Sequence, residues 1–309
     1  MSNYLITGVA GFIGSNLAHH LLEQGHEVHG IDNFETGNRE KINRLIEHDK
    51  FQFQEGDLRL KEDVEKAVTN IDYILHQGAV PSVPRSVDNP VLTTDVNCTG
   101  TANLISTAND NSVKKIVVAS SSSVYGPTDV SPKREDLPPN PVSPYALSKY
   151  YTEQLAVQAS EYYEIDTIAL RYFNVFGPRQ DPEGDYAAVI PKFINLMTNG
   201  ENPTIYGDGT QSRDFTYIDN VVQANLKAID SDATGEVLNV GCGQSIEING
   251  LVHDINQALG TKIEPEYTDP RPGDVPHSKA DISKARSLIN YDPQIGFEEG
   301  LKKTIDWYQ

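Results

Sequence analysis

The stretch Tyr4-Leu5-Ile6-Thr7-Gly8-Val9-Ala10-Gly11-Phe12-Ile13-Gly14 decides how this chain folds. Four residues of strand character run into three evenly spaced glycines, and an amphipathic stretch of helical length, 13–24, follows at once. Strand, glycine turn and helix in that order make a seat for a dinucleotide. The glycines admit a tight bend and a close approach of backbone to pyrophosphate, while the helix start offers free N–H groups and partial positive charge. The spacing is GxxGxxG rather than GxGxxG, so the glycines alone are a weak sign. Asp32 strengthens it, because it closes the second strand-like segment, where a carboxylate accepts hydrogen bonds from the adenosine ribose hydroxyls. That carboxylate would repel a 2′-phosphate, which favours NAD over NADP. Gly8, Gly11, Phe12, Ile13, Gly14, Asp32 and Asn33 are therefore the expected cofactor residues. Past the third strand, Asp57 and Leu58 are candidates for contacting adenine, with a helix N-cap as the equal alternative for Asp57.

Outward from this turn, the segments 4–7, 27–31, 51–54, 71–76, 115–119 and 167–171 are short, apolar or β-branched and bounded by turn residues, which predicts buried strands. Stretches of helical period lie between them, 13–24, 91–108 and 144–163 among them. Such alternation predicts an α/β fold, a Rossmann-type doubly wound parallel sheet. After Arg171 it loosens into a Gly-, Pro- and Asp-rich loop at 177–184, helical stretches at 186–199 and 218–230, and a strand at 237–240. The simplest organisation is an NAD-binding Rossmann domain over 1–173, to which the chain returns around 212–241, with 174–309 forming mainly a smaller C-terminal substrate-binding lobe.

The 309 residues suffice for one large subunit or two lobes sharing a cleft. Lys and Arg number 25 against 44 Asp and Glu, and a formal charge of -19 repels nucleic acid and anionic membranes, so neither is an expected partner. This charge reads as a solubilising surface, with a salt-adapted source as the alternative. Cys98 and Cys242 are too few and too far apart for a disulfide framework or a zinc set, which points to a reducing, cytoplasmic setting. The histidines show no metal-binding spacing, and no metal is expected. No run reaches the roughly 18 apolar residues of a membrane span. Glycines interrupt the first apolar stretch, unlike a signal peptide.

After the fifth strand comes Ser120-Ser121-Ser122-Ser123-Val124-Tyr125-Gly126, and soon afterwards Tyr145-Ala146-Leu147-Ser148-Lys149. Tyr145 and Lys149 are four apart, so they share one face of a helix whose start Ser143 and Pro144 signal. An ammonium beside a phenol stabilises the phenolate, lowers its pKa from about 10 towards neutrality and makes it a usable base. Tyr and Lys at this spacing are commonly an ordinary surface pair. Downstream of a glycine turn, a coenzyme carboxylate and a serine-rich strand end, they become catalytic candidates together with Ser121.

With these motifs the chain resembles the extended short-chain dehydrogenase/reductase family and, within it, the UDP-sugar 4-epimerases. The resemblance runs from Tyr4 to near the C-terminus. It is carried by the glycine turn, His76-Gln77-Gly78-Ala79, the Ser121 region, Tyr145 with Lys149, Arg171-Tyr172-Phe173-Asn174-Val175-Phe176-Gly177-Pro178, and the segments around Arg213 and Arg271. It implies NAD as cofactor, with Gln77, Ala79, Tyr145, Lys149 and Tyr172 among its contacts, and a UDP-sugar as substrate. Tyr145 would take the proton of the sugar 4-hydroxyl, Ser121 would bond the same oxygen, and NAD would accept the hydrogen of carbon 4. The bound 4-keto sugar would then turn over and be reduced on its other face. Arg213 and Arg271 match the family's diphosphate-binding arginines, whose planar fork suits two phosphate oxygens, and Asn174 matches its diphosphate-binding Asn. Tyr206, Val189 and Pro191 would line the uracil site, and Asp274 closes the Arg271 segment. Ser122 and Ser123 stand near the substrate, although strand-end hydrogen bonding describes them better. The family also implies a homodimer built on helices 91–108 and 144–163.

Relatives that dehydrate or decarboxylate the sugar carry acidic residues just after the Ser121 position, where this chain has Ser122 and Ser123, so epimerisation is the consistent reading. The position that can close the sugar pocket falls at Ser278, whose small side chain leaves room for an N-acetyl group. The run Val80-Pro81-Ser82-Val83-Pro84-Arg85-Ser86, which puts Ser82 and Arg85 at the substrate, resembles the subgroup acting on UDP-GlcNAc and UDP-GalNAc. So does Arg179-Gln180-Asp181-Pro182 leading to Tyr186-Ala187-Ala188-Val189-Ile190-Pro191. UDP-glucose and UDP-galactose are the alternative pair. UDP-glucuronate fits less well, since those relatives tend to have Thr where Asn174 stands. Rivals of other classes are a net nucleotide-sugar oxidoreductase and a non-catalytic dinucleotide sensor. The latter leaves Ser121, Tyr145, Lys149, Arg213 and Arg271 unexplained together.

Overall fold

The structure, a computed structural model, describes residues 1–183, 187–270 and 275–309. Its first quarter alternates β1 (Asn3–Thr7), α1 (Phe12–Glu23), β2 (Glu27–Asp32), α2 (Arg39–Leu45), β3 (Phe51–Glu55), α3 (Lys61–Val68) and β4 (Tyr73–His76). Next come α4 (Val83–Asp88), α5 (Pro90–Thr94), a π-helical turn (Asp95–Thr99), α6 (Gly100–Asp110), β5 (Lys115–Ser121), a short turn (Ser122–Tyr125), α7 (Pro144–Tyr162) and β6 (Asp166–Tyr172). The remainder holds β7 (Asn174–Phe176), α8 (Val189–Thr198), β8 (Thr204–Tyr206), β9 (Ser212–Arg213), β10 (Phe215–Tyr217), α9 (Ile218–Asp230) and β11 (Glu236–Val240). It ends with β12 (Ile246–Glu247), α10 (Ile248–Leu259), β13 (Glu266–Thr268), α11 (Ser283–Ile289) and α12 (Phe297–Tyr308).

Seven of these strands form one parallel sheet in the order β11-β6-β5-β4-β1-β2-β3. Strand order reverses beside β1, and a crevice opens there at the carboxyl ends of β1 and β4. Both faces are covered, as an all-parallel sheet requires. Leu5, Ile31, Ile74, Ile116 and Val118 point towards the side packed with residues of α3, α6 and α7. Their alternates, Ile6, Val28, Leu75, Val117, Ile168 and Leu170, belong to the core shared with α1 and α9. β11 joins the sheet beside β6, late in the chain. The pairs β7 with β10, β8 with β13 and β9 with β12 build small two-stranded sheets outside it. Among the described residues, no helix is long and apolar enough to cross a membrane.

Two elements differ from expectation. The helix expected at 91–108 is α5 and α6 joined by the π-helical turn. The turn carries Asn97, whose side chain accepts from the Val80 N–H at 2.8 Å and donates to the Val80 carbonyl at 3.2 Å and Ser148 Oγ at 2.9 Å. The strand expected at 71–76 begins only at Tyr73, and Ile71 still belongs to the turn after α3, its N–H donating to the Val68 carbonyl at 3.3 Å.

Candidate active site

The glycine turn closes on the loop after β4. Gly8 has φ +67°, and a Cβ there would sit 2.7 Å from the Gly78 Cα. A Cβ on Gly14 would meet the Gly8 carbonyl at 2.3 Å, so this glycine lets α1 start against the turn. Thr7 Oγ1 accepts from the Gly78 N–H at 2.9 Å and bonds His76 Nδ1 at 2.7 Å, while His76 Nε2 bonds Thr101 Oγ1 at 2.9 Å. Full burial drives His76 down to about 3, so the ring is neutral and serves as a clamp.

Asp32 braces the turn from β2. Its carboxylate accepts from the Ala10 N–H at 2.9 Å and the Phe34 N–H at 2.8 Å. Burial pushes this carboxyl above its usual range, and the two backbone donors pull it partly back. Each oxygen keeps a lone pair for a further donor. Asp32, Asn33, Asp57 and Leu58 line a recess of about 50 Å³. The Asp57 carboxylate is held at about 2, chiefly by Arg59, whose Nη2 donates to it at 2.6 Å. Asp57 is not a helix N-cap, correcting that alternative: Leu60 precedes α3, and Asp57 donates its own N–H to Asp63.

A cavity of about 690 Å³ extends from the turn to α7. Gly8, Gly11, Phe12, Ile13, Gly14 and Asp32 form one end. Gln77, Ala79, Ser82, Arg85, Tyr145, Lys149 and Tyr172 continue the wall. α7 starts as the sequence signals, with Ser143 Oγ accepting from the Ala146 N–H at 3.1 Å and Pro144 in the first turn. Ser86 of α4 accepts from the Tyr145 N–H at 3.0 Å and fixes this end. The Ser121 side chain interacts with the Tyr145 phenol. Ser123 donates to Ser121 Oγ through both its N–H, at 3.1 Å, and its hydroxyl, at 2.9 Å, while Ser122 opens the short turn beside it.

The Lys149 ammonium donates to the Ala119 carbonyl at 2.9 Å, and burial holds it at about 8. Burial pushes the Tyr145 phenol up, and only its bond to Ser121 draws it back. This corrects the expectation of a phenol near neutrality in the chain by itself. Desolvation decides the resting phenol, so its base form depends on the positive charge brought to it, from Lys149 or from what enters the cavity.

A second cavity, about 270 Å³, joins Asn174, Val189, Tyr206 and Arg213 on one wall. Pro191 is buried in the first turn of α8. The Arg213 Nη1 donates to the carbonyls of Ser212 at 2.9 Å and Pro276 at 3.1 Å. Ser278 is 6% exposed, donates its N–H to the Ser212 carbonyl beside the strand that carries Arg213, and lines neither cavity, which corrects its expected place at the sugar pocket. Its near neighbour His277 opens onto a further cavity of about 780 Å³ beside Tyr206 and Gln211. Arg271, Asp274 and Tyr186 lie outside the described residues.

Several supporting residues escaped the sequence. Asn225, fully buried in α9, donates to the Tyr172 hydroxyl at 2.9 Å, and Gln77 reaches the same hydroxyl at 3.2 Å. Asp214 accepts from the N–H groups of Cys242, Gly243 and Ala280, tying the strand of Arg213 to two loops, and burial raises it to about 6. Asn225 lies in no motif, and Asp214 stands beside Arg213 in its segment without a role assigned to it. Glu153 lies one helical turn past Lys149, a spacing that could have revealed it, and it receives Ser120 Oγ at 2.7 Å and the Arg171 fork at 2.6 and 3.0 Å.

Fold and cavity together define a dinucleotide-binding α/β protein with a serine, tyrosine and lysine at the far end of the dinucleotide seat. Residues 4–241 match the NAD dependent epimerase/dehydratase family, and the chain belongs to that family. The UDP-N-acetylglucosamine 4-epimerase from Methanobrevibacter ruminantium M1, solved in complex with UDP-N-acetylmuramic acid, is 41% identical with a TM-score of 0.95, covering 99% of this chain and 98% of that one. The UDP-glucose 4-epimerase of Thermotoga maritima, solved with UDP-glucose, is 36% identical with a TM-score of 0.94 over 99% of this chain and 98% of its own. The UDP-glucose 4-epimerase of Mycolicibacterium smegmatis is 37% identical over 308 residues, 99% of this chain and 98% of the relative.

Proposed function

We propose that this protein interconverts the C4 epimers of a UDP-hexose, with UDP-GlcNAc and UDP-GalNAc as the favoured pair. One observation carries the reading: Tyr145, which interacts with Ser121, and buried Lys149 one turn away stand on the wall of a cavity whose other end is a dinucleotide seat. Family membership and relatives named as UDP-sugar 4-epimerases support it. The preference for N-acetylated sugars draws on the Methanobrevibacter relative.

The chain fits NAD at the seat. A side chain on Gly8 or Gly14 would collide with backbone, and Asp32 keeps one acceptor site on each oxygen for ribose hydroxyls. When bound, NAD supplies reversible oxidation at carbon 4 of the sugar. Tyr145 Oη accepts the proton of the 4-hydroxyl and later returns it, Ser121 Oγ holds the same oxygen, and Lys149 sets the charge that favours the phenolate. Asn174 and Arg213 take the diphosphate, and Tyr206 and Val189 flank the base. Residues 174–309 act mainly as the substrate lobe around this second cavity. We further place the protein as a homodimer in a reducing compartment. Val87 and Val91 are 62% and 76% exposed, Leu147 and Tyr151 are 58% and 43%, and together they leave an apolar face on α4, α5 and α7.

The deciding experiment incubates the protein separately with UDP-GlcNAc, UDP-glucose and UDP-glucuronate without added oxidant and identifies products by NMR. UDP-GalNAc formed at the highest kcat/KM is the expected result. UDP-galactose as the better product would overturn the sugar preference, and accumulation of reduced cofactor would favour the oxidoreductase. Absence of any 4-epimer would overturn the assignment.

A further inference from the structure

Behind the Tyr145 and Lys149 pair lies a second, wholly buried pair of charges. Tyr145, Lys149 and Glu153 follow one another at four-residue steps on one face of α7. Glu153 is 0% exposed and Arg171, from β6, is 3% exposed. The guanidinium grips both carboxylate oxygens, Nη2 at 2.6 Å and Nε at 3.0 Å, and lies 4.6 Å from the centre of the Tyr125 ring. Ser120 Oγ donates to the same carboxylate at 2.7 Å. Its neighbour Ala119 gives its carbonyl to Lys149 at 2.9 Å.

A buried carboxylate one turn from a buried ammonium is that ammonium's natural partner, and in a medium of low dielectric the two would bind strongly. Here an arginine, which stays charged throughout the working range, has taken the carboxylate with a two-pronged bond. Lys149 is left with a backbone carbonyl as its acceptor.

We propose that Arg171 is a positioning residue: by neutralising Glu153 it keeps the Lys149 ammonium unpaired, so that its charge acts on the Tyr145 phenol. The role of Tyr145 as proton acceptor rests on the function proposed above. The other titratable groups facing Lys149 are Cys98 of the π-helical turn and neutral His76 at the end of β4. Tyr125 and Glu135 face Arg171, and Arg85 of α4 lines the same cavity.

The test compares Arg171→Met, Glu153→Gln and the double variant. With Arg171→Met, Glu153 turns to Lys149 and the acid limb of the kcat profile moves up by about one pH unit, with kcat at pH 7 down about tenfold and KM within twofold. Glu153→Gln leaves the Arg171 charge uncompensated, and the limb moves down. In the double variant the limb returns to its wild-type place. A difference titration of phenolate absorbance, each protein against its Tyr145→Phe counterpart, reads the same phenol without any sugar, and the same shifts are expected. It stands even if no UDP-sugar is turned over. Should Arg171→Met fail to fold, Glu153→Gln and the double variant still give distinct predictions, a lowered limb and a wild-type one. Shifts of one sign in all variants, or a limb and phenol that stay in place, would show the pair to be a structural brace and overturn the proposal.

Discussion

Gly8 and Gly78 stand so close that a Cβ added to Gly8 would lie 2.7 Å from the Gly78 Cα. The contact joins the first and fourth strands at the point where strand order reverses, and it makes the floor of the dinucleotide seat. Gly8→Ala therefore meets two obstacles, backbone overlap and a φ of +67° that costs an L-residue about 1–2 kcal/mol. We expect a lower melting temperature and at least tenfold weaker NAD binding by calorimetry. Gly200, also at positive φ (+77°) but with nothing within 4 Å of its Cβ position, is the control: Gly200→Ala should carry only the backbone cost and leave NAD affinity unchanged. Equal NAD affinity in wild type and Gly8→Ala would show that the seat tolerates a wider turn.

Tyr145→Phe removes one oxygen from the cavity wall and leaves the ring that packs there. Turnover should fall on the order of 10³-fold, the usual scale for loss of a proton-transfer group. NAD affinity should change less than threefold. Substantial remaining turnover would assign the proton transfer to another group, with Ser121 the first to examine because its side chain interacts with the Tyr145 phenol.

The pH profile should also have an alkaline limb. Lys149 is charged below about 8, and burial is the main cause of that lowered value. As pH rises through this range the ammonium is lost, the phenolate loses its support, and kcat should decline. Lys149→Met should be slower by about 10²-fold and show no such limb. A wild-type rate still level at pH 9.5 would contradict the part given to this lysine.

How much of this site the sequence could show depends on how far apart the cooperating residues lie. The glycine turn, Asp32 and the pair Tyr145 and Lys149 were legible because each rests on local rules: a turn, a strand end, a helix face. The cap at Ser143 and the strand runs were legible for the same reason. Partners chosen by packing were not. Arg171 meets Glu153 across 18 residues, and Asn225 meets Tyr172 across 53. The π-helical turn depends on a bond from Asn97 to Val80 that no helical period reveals. The phenol pKa was misjudged because the residue pattern shows the nearby charge and hides the burial that opposes it.

His76 gives a prediction about stability whose sign follows from its clamp. The ring bridges Thr7 and Thr101 in its neutral form, and burial lowers its pKa from 6.5 to about 3. Between those values the unfolded chain binds a proton that the native chain refuses, so stability falls as pH drops below 6.5 and continues to fall towards 3. The slope from this one group is at most about 1.4 kcal/mol per pH unit. Above 6.5 it contributes no slope. His76→Gln keeps an amide donor and acceptor near the two threonines but cannot titrate. It should cost about 1–2 kcal/mol at pH 7.5 through poorer hydrogen bonds, and lose less than the wild type between pH 6.5 and 4.5. Urea unfolding midpoints of both proteins at pH 7.5, 6.5, 5.5 and 4.5 measure the difference directly. Parallel curves would mean that the buried ring takes up its proton without leaving the fold, and that the link between β1 and α6 opens more easily than its burial implies.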